Sequence, residues 1–133
     1  MNDDLAYIRS RIPTYQGYGD EASRRDSDKR VRAIVGEALS DAHVRFAGSH
    51  DEKANSAYDD LLMLCMFGDQ QMMHRIEHVT FTPEQLADFL AADRALVDLE
   101  EQLMNVSTVD EFSGLMHRLH EQFDRRREMV PAH

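Results

Sequence analysis

"FTPEQL", residues 81–86, is the stretch from which the rest of this chain can be read. Thr82 is a good N-cap, Pro83 suits the first helical position, and Gln85 stands where it can close a capping box. Phe81 and Leu86 occupy the two positions of a hydrophobic staple around that cap. A helix therefore starts at Pro83, and Leu86, Phe89, Leu90, Val97, Leu103 and Met104 carry its apolar positions to about residue 105.

The same punctuation recurs on both sides. In "STVDEF" Thr108 and Glu111 are spaced as another capping box. Phe112, Met116, Leu119, Phe123 and Val130 then form one stripe, and Pro131 stops the helix. Towards the N-terminus, Val31, Val35, Leu39, Ala42 and Phe46 mark a helix from about Glu21 to Ala47, closed by Gly48. Ser49 and Glu52 open a further helix, about residues 50 to 78, with Ala54, Tyr58, Leu61, Leu62, Cys65, Met72 and Ile76 on one stripe. The three connections are short, which favours antiparallel neighbours. The expected fold is all-α, a single domain over residues 1–133: an up-down-up-down antiparallel four-helix bundle. A short N-terminal helix at about 3 to 12, with Leu5, Ile8 and Ile12, precedes it, tied on by a Tyr/Gly loop from Pro13 to Gly19.

Composition narrows the function classes. The chain has 133 residues, enough to bury a core without staples. No apolar run approaches the roughly 20 residues that span a bilayer, and "MNDDLAYIRS" lacks a signal-peptide pattern. The lone Cys65 fits a reducing cytoplasm. A formal charge of −10 opposes sequence-blind binding to nucleic acid, because neutralising phosphates needs a basic field. In the expected bundle, residues 1–32, 73–84 and 121–133 share one end, which holds 11 bases and 11 acids. The remainder holds 4 bases and 14 acids, so the negative charge lies away from that end.

The loop and the helix start that follows it, "RIPTYQGYGDEASRRDSDKRVR", residues 11–32, concentrate aromatic and basic residues at that end. Ile12, Pro13, Tyr15, Gly17 and Tyr18, followed by Arg24, Arg25, Asp28, Lys29 and Arg32, resemble the start of an uncharacterised family of small bacterial helical proteins. Members open with a short helix, an Ile-Pro-x-Tyr-x-Gly-Tyr loop and an Arg-Arg-x-x-Asp-Lys helix start. "LADFLAADRALVDLEEQL" is similar to a later helix of that family, with Asp93 in the same apolar setting. Gly-Asp-Glu after Tyr18 departs from the more basic run usual there. The resemblance implies a helical fold and no particular activity.

Two readings of the Tyr/Arg end follow from its chemistry. Tyr15 and Tyr18 turn inward and plug the bundle, against residues such as Ile76 and Val130, with arginines covering them. Alternatively Tyr15, Tyr18, Arg24, Arg25 and Arg126 form a surface patch for an acidic peptide, a phosphate or a headgroup. Asp93 shares a helix face with Leu86, Leu90, Val97 and Met104, so its carboxylate points to the core and needs a partner. Antiparallel pairing puts His120 at the same height, and an arginine of the first long helix is the other candidate. Seven histidines invite a metal reading, with His74 and His78 four apart and His117 and His120 three apart. Two ligands on one helix do not complete a site, and no Glu-x-x-His occurs, so no metal or other cofactor is expected. Met63, Met66, Met72 and Met73 are read as fillers of an irregular core.

The resulting expectation is a non-enzymatic interaction or adaptor module that uses the Tyr/Arg end or the acidic flank. It has an unknown protein partner, no nucleic acid and no transmembrane segment, and self-association is compatible with it. The alternative is a metal-binding or acid/base bundle centred on Asp93 and the histidines.

Overall fold

A computed structural model describes residues 3–46, 48, 52–76 and 78–131. Among them all regular structure is helical, with no strand. The elements are α1 (Asp3–Arg11), α2 (Glu21–Arg45), α3 (Glu52–Phe67), α4 (Gln70–Ile76), α5 (Pro83–Asn105) and α6 (Val109–Glu128). None of them is long and apolar enough to cross a membrane.

The helix starts follow their caps. The Thr82 hydroxyl oxygen accepts from the Gln85 N–H at 3.1 Å, and the Gln85 side chain accepts from the Thr82 N–H at 3.0 Å. Thr108 accepts from the Glu111 N–H at 3.1 Å, the backbone half of the expected box. Asp20 caps α2 by accepting from the Ser23 N–H at 2.8 Å. Helix α2 ends at Arg45, and Gly48 has φ +84°, the left-handed conformation that glycine adopts freely. The expected Ser49 cap and the last helical residue Ala47 lie outside the described residues.

The expected helix over 50 to 78 is two helices. Gly68 has φ +81° and its N–H bonds to the Leu64 carbonyl at 2.8 Å, a left-handed stop to α3. Asp69 then caps α4, its carboxylate accepting from the Met72 N–H at 3.2 Å. The apolar stripe gives no warning of the break, because Cys65, Met72 and Ile76 are all buried on either side of it. Helix α4 also stops at Ile76, short of His78.

Helix α2 packs against α5 and α3, α6 lies against α5 and α3, and α4 touches α2 and α6. Gly36 lets α2 approach α3: a Cβ there would sit 3.0 Å from the Cys65 Cβ. Phe89, Leu96, Phe112 and Leu119 are each 0% exposed at the centre. Met104, expected on the buried stripe, is 55% exposed, whereas its neighbour Leu103 is buried. Arg45 of α2 reaches the carboxyl end of α5, donating to the carbonyls of Leu103 and Val106 (3.0 Å for the latter). It supplies the cation that the last turn of α5 lacks.

Helix α1 lies on α5 through polar contacts over an apolar floor of Ile8 and Ile12. Arg11 donates to both Glu100 oxygens, at 2.6 and 2.9 Å, and Arg94 donates to Asp4 at 3.0 Å. The Tyr7 hydroxyl donates to Asp98, which raises the Tyr7 pKa to about 12.

Candidate functional site: a buried Asp–Arg–Tyr cluster

The loop between α1 and α2 is pinned before it delivers its tyrosines. The Ile12 and Tyr15 N–H groups bond to the carbonyls of Ile8 and Ile12, turning the chain around Pro13. Gly17, φ +84°, is buried, and its carbonyl accepts from the Ser27 hydroxyl at 2.7 Å. Arg9 donates to the Tyr15 carbonyl at 2.9 Å, and Ser23 donates to the Gln16 side chain at 2.9 Å. These contacts send both rings inward: Tyr15 is 1% exposed and Tyr18 is 4% exposed.

Both hydroxyls donate to one oxygen of Asp93 on α5, Tyr15 at 2.6 Å. The other Asp93 oxygen accepts from Arg126 Nε at 2.7 Å. Arg126, projecting from the last turn of α6, continues from there. Its Nη1 donates to Asp28 of α2 at 2.7 Å and its Nη2 to the Tyr18 oxygen at 2.9 Å. The guanidinium also lies 4.8 Å from the Phe89 ring centroid, close enough for a cation–π contact. Arg32 completes the set, with Nε to the second Asp28 oxygen at 2.9 Å and Nη1 to the Cys65 carbonyl at 2.9 Å. All four carboxylate oxygens of Asp28 and Asp93 accept from the cluster, and two anions face two cations. That balance makes the burial of four charges tolerable, since a lone ion here would be very costly.

The electrostatics follow from depth and pairing. Burial pushes the Asp93 carboxyl above its usual range, against the pull of Arg126 and the two tyrosine hydroxyls. Burial, with the Asp93 charge next, raises Tyr15 and Tyr18 far above an ordinary phenol. Burial opposes the Arg126 charge, yet Asp93, Tyr18 and Asp28 hold its pKa well above that of free arginine. The cluster ties the loop, α2, α5 and α6 together through side-chain hydrogen bonds.

Several expected placements are corrected by this geometry. His120 is exposed on the outer face of α6, one residue past the buried Leu119, and Asp93 is bonded to Tyr15, Tyr18 and Arg126 instead. The cation on Asp93 comes from α6, not from the first long helix. Tyr15, Tyr18 and Arg126 are interior, so they do not make a surface patch with Arg24 and Arg25. Arg24 donates to the Ile76 carbonyl at 2.7 Å, and Arg25 lies on the surface 3.4 Å from Glu21. The aromatic neighbours of Tyr18 are Phe89, with centroids 4.7 Å apart, Phe81 at 6.3 Å and Tyr15 at 6.2 Å. His74 and His78 are both exposed, and His78 lies beyond the end of α4, so the helical spacing between them is lost. His117 is exposed and pairs with Glu121 at 2.7 Å. Among the described residues no group of three or more His, Cys, Asp and Glu side chains could hold a metal ion. Met63 and Met66 are exposed and fill no core.

Two members of the cluster, Asp28 and Arg32, look in the sequence like part of a surface charge run. A signal for their burial is nevertheless present: Asp28 stands three and seven residues before Val31 and Val35, on the buried face of α2. Arg126 likewise follows Leu119 and Phe123 at steps of seven and three. Comparison of the chain with family models, curated proteins and solved structures finds no match.

Proposed function

We propose that this chain is a non-enzymatic interaction module, an up-down-up-down bundle of four helical layers in which α3 and α4 together make the second. The observation that supports this reading is an apolar patch on the outside of α3. Met63, Met66 and Phe67 are 57%, 62% and 58% exposed, at spacings of three and one that put them on one side of the helix. Asp59 and Asp60, also exposed, border it one turn earlier. Clustered large apolar side chains beside charge are the usual makings of a protein-binding surface. The acidic flank of the bundle, and not its Tyr/Arg end, is the working face. The lone buried Cys65 thiol is in keeping with a reducing compartment, which favours the cytoplasm.

The test is a Met66→Glu/Phe67→Glu double variant. Both positions are exposed, so its melting temperature and helical circular dichroism should match the wild type. Immobilised wild-type chain should retain protein that the variant does not. Equal retention by both would remove α3 from the reading and the reading with it.

A further inference from the structure

The outer face of α2 carries an ordered run of charge. Arg25, Lys29, Ala33, Glu37 and Asp41 follow one another at steps of four and are all exposed. Ala22 and Val44 extend the run at its two ends, with Val44 70% exposed. Taken about Ala33, the run is antisymmetric in charge. Lys29 and Glu37 lie four residues either side, Arg25 and Asp41 eight, and the apolar Ala22 and Val44 eleven. Lys29, Glu37 and Asp41 make no ion pair among the described residues.

A helix with this pattern is complementary to itself run backwards. We propose that the chain forms a two-fold homodimer through α2, with the symmetry axis passing beside Ala33. Each Lys29 then meets Glu37 of the other copy, and each Arg25 meets Asp41. Isologous contacts of this kind pair every residue twice, so each interaction counts double. Residues at steps of four form the ridges of a helix, and interdigitating them sets two helices at about −50°. Ala33 at the crossing is exposed and small enough for the close approach this geometry needs.

The surface shape fits the same pairing. A hollow of about 560 Å³ is lined by Glu21, Ala22, Arg25, Asp26 and Lys29, at the amino-terminal end of the ridge. A second, about 340 Å³, lies on the other side of Lys29, with Ala33, Gly36 and Met66 among its walls. Met66, 62% exposed, thus borders the α2 ridge and joins it to the apolar patch of α3. The proposal rests on the reading of this side as an interaction surface and names the partner as a second copy of this chain.

Sedimentation equilibrium on the full chain at low ionic strength tests it. The wild type should be a dimer. Lys29→Glu and Glu37→Lys, each made alone, should raise the dimer Kd about tenfold or more, since each turns two attractive contacts repulsive. The double variant Lys29→Glu/Glu37→Lys restores both contacts with their signs exchanged and should recover the dimer. Both positions are on the surface, so unchanged helical circular dichroism is expected throughout, and any fall in melting temperature should follow the loss of the dimer. A monomeric wild type overturns the proposal, as does a dimer indifferent to the single reversals or a double variant that stays dissociated. Those outcomes leave the Met66→Glu/Phe67→Glu retention test standing, so failure of self-pairing is distinguishable from failure of the interaction surface.

Discussion

Arg126 has more buried polar contacts than any other side chain in the described cluster, donating to Asp93, Asp28, Tyr18 and the Met72 sulfur while lying over Phe89. Replacing it by methionine keeps much of the volume and removes the charge that balances two carboxylates. Arg126→Met should therefore cost about 3–5 kcal/mol in urea unfolding, the range for breaking a buried pair from one side. Arg126→Lys should recover only part of this, because an ammonium's three N–H donors leave a single nitrogen and cannot span the partners that three guanidinium nitrogens reach. A loss under about 1 kcal/mol for Arg126→Met would mean that the cluster contributes register without stability. Asp93 is legible at this scale, since a carboxylate on an apolar face is buried or the helix is misread. Its partner is not. Arg126 sits in a run of three arginines, and only its phase with Leu119 and Phe123 separates it from Arg125, which is exposed, and Arg127, which pairs with Asp69 at 3.0 Å.

The elements are legible where caps are local chemistry. Thr82, Pro83 and Gln85 set the start of α5 through bonds within one turn, so their sequence suffices to find it. The break between α3 and α4 escapes the periodicity because the apolar pattern runs through it in phase. The glycine followed by an aspartate is the signal. Gly68 is a sharp test of that account. Alanine there would be held at φ +81° with its Cβ 3.3 Å from the Arg32 Cζ. Gly68→Ala should destabilise by about 1–2 kcal/mol from the left-handed conformation alone. A Cβ added at Gly114, within α6, would meet nothing within 4 Å, and Gly114→Ala should stabilise by about 0.5–1 kcal/mol. Chemical denaturation of the pair reads opposite signs for the same substitution. If both stabilise, Gly68 is not held left-handed.

The whole molecule should show the buried tyrosines in its response to alkali. In the unfolded chain Tyr15 and Tyr18 release their protons near pH 10, whereas in the folded chain both are held far above it. The folded state thus keeps protons that the unfolded state gives up. Stability linked to them is fully present below pH 10 and falls as pH rises beyond it, by about 1.4 kcal/mol per pH unit for each tyrosine. Urea midpoints measured across that range should decline accordingly, and the slope should lessen in Tyr15→Phe/Tyr18→Phe. An equal slope in the double variant would assign the alkaline loss to other groups.

By itself the sequence determined the helical class, the starts of α2, α5 and α6, and the burial of Asp93. Each of these depends on residues within a turn or two of one another. Tertiary structure alone decided that Tyr15, Tyr18, Asp28, Asp93 and Arg126 meet, since they come from one loop and three helices, with the bonded Tyr18 and Arg126 108 residues apart. Helix periodicity states which face a residue lies on and says nothing about which residue of another helix stands opposite. That choice was made by packing: the loop turned at Pro13 and Gly17, the crossing allowed by Gly36, and the requirement that every buried charge find its opposite.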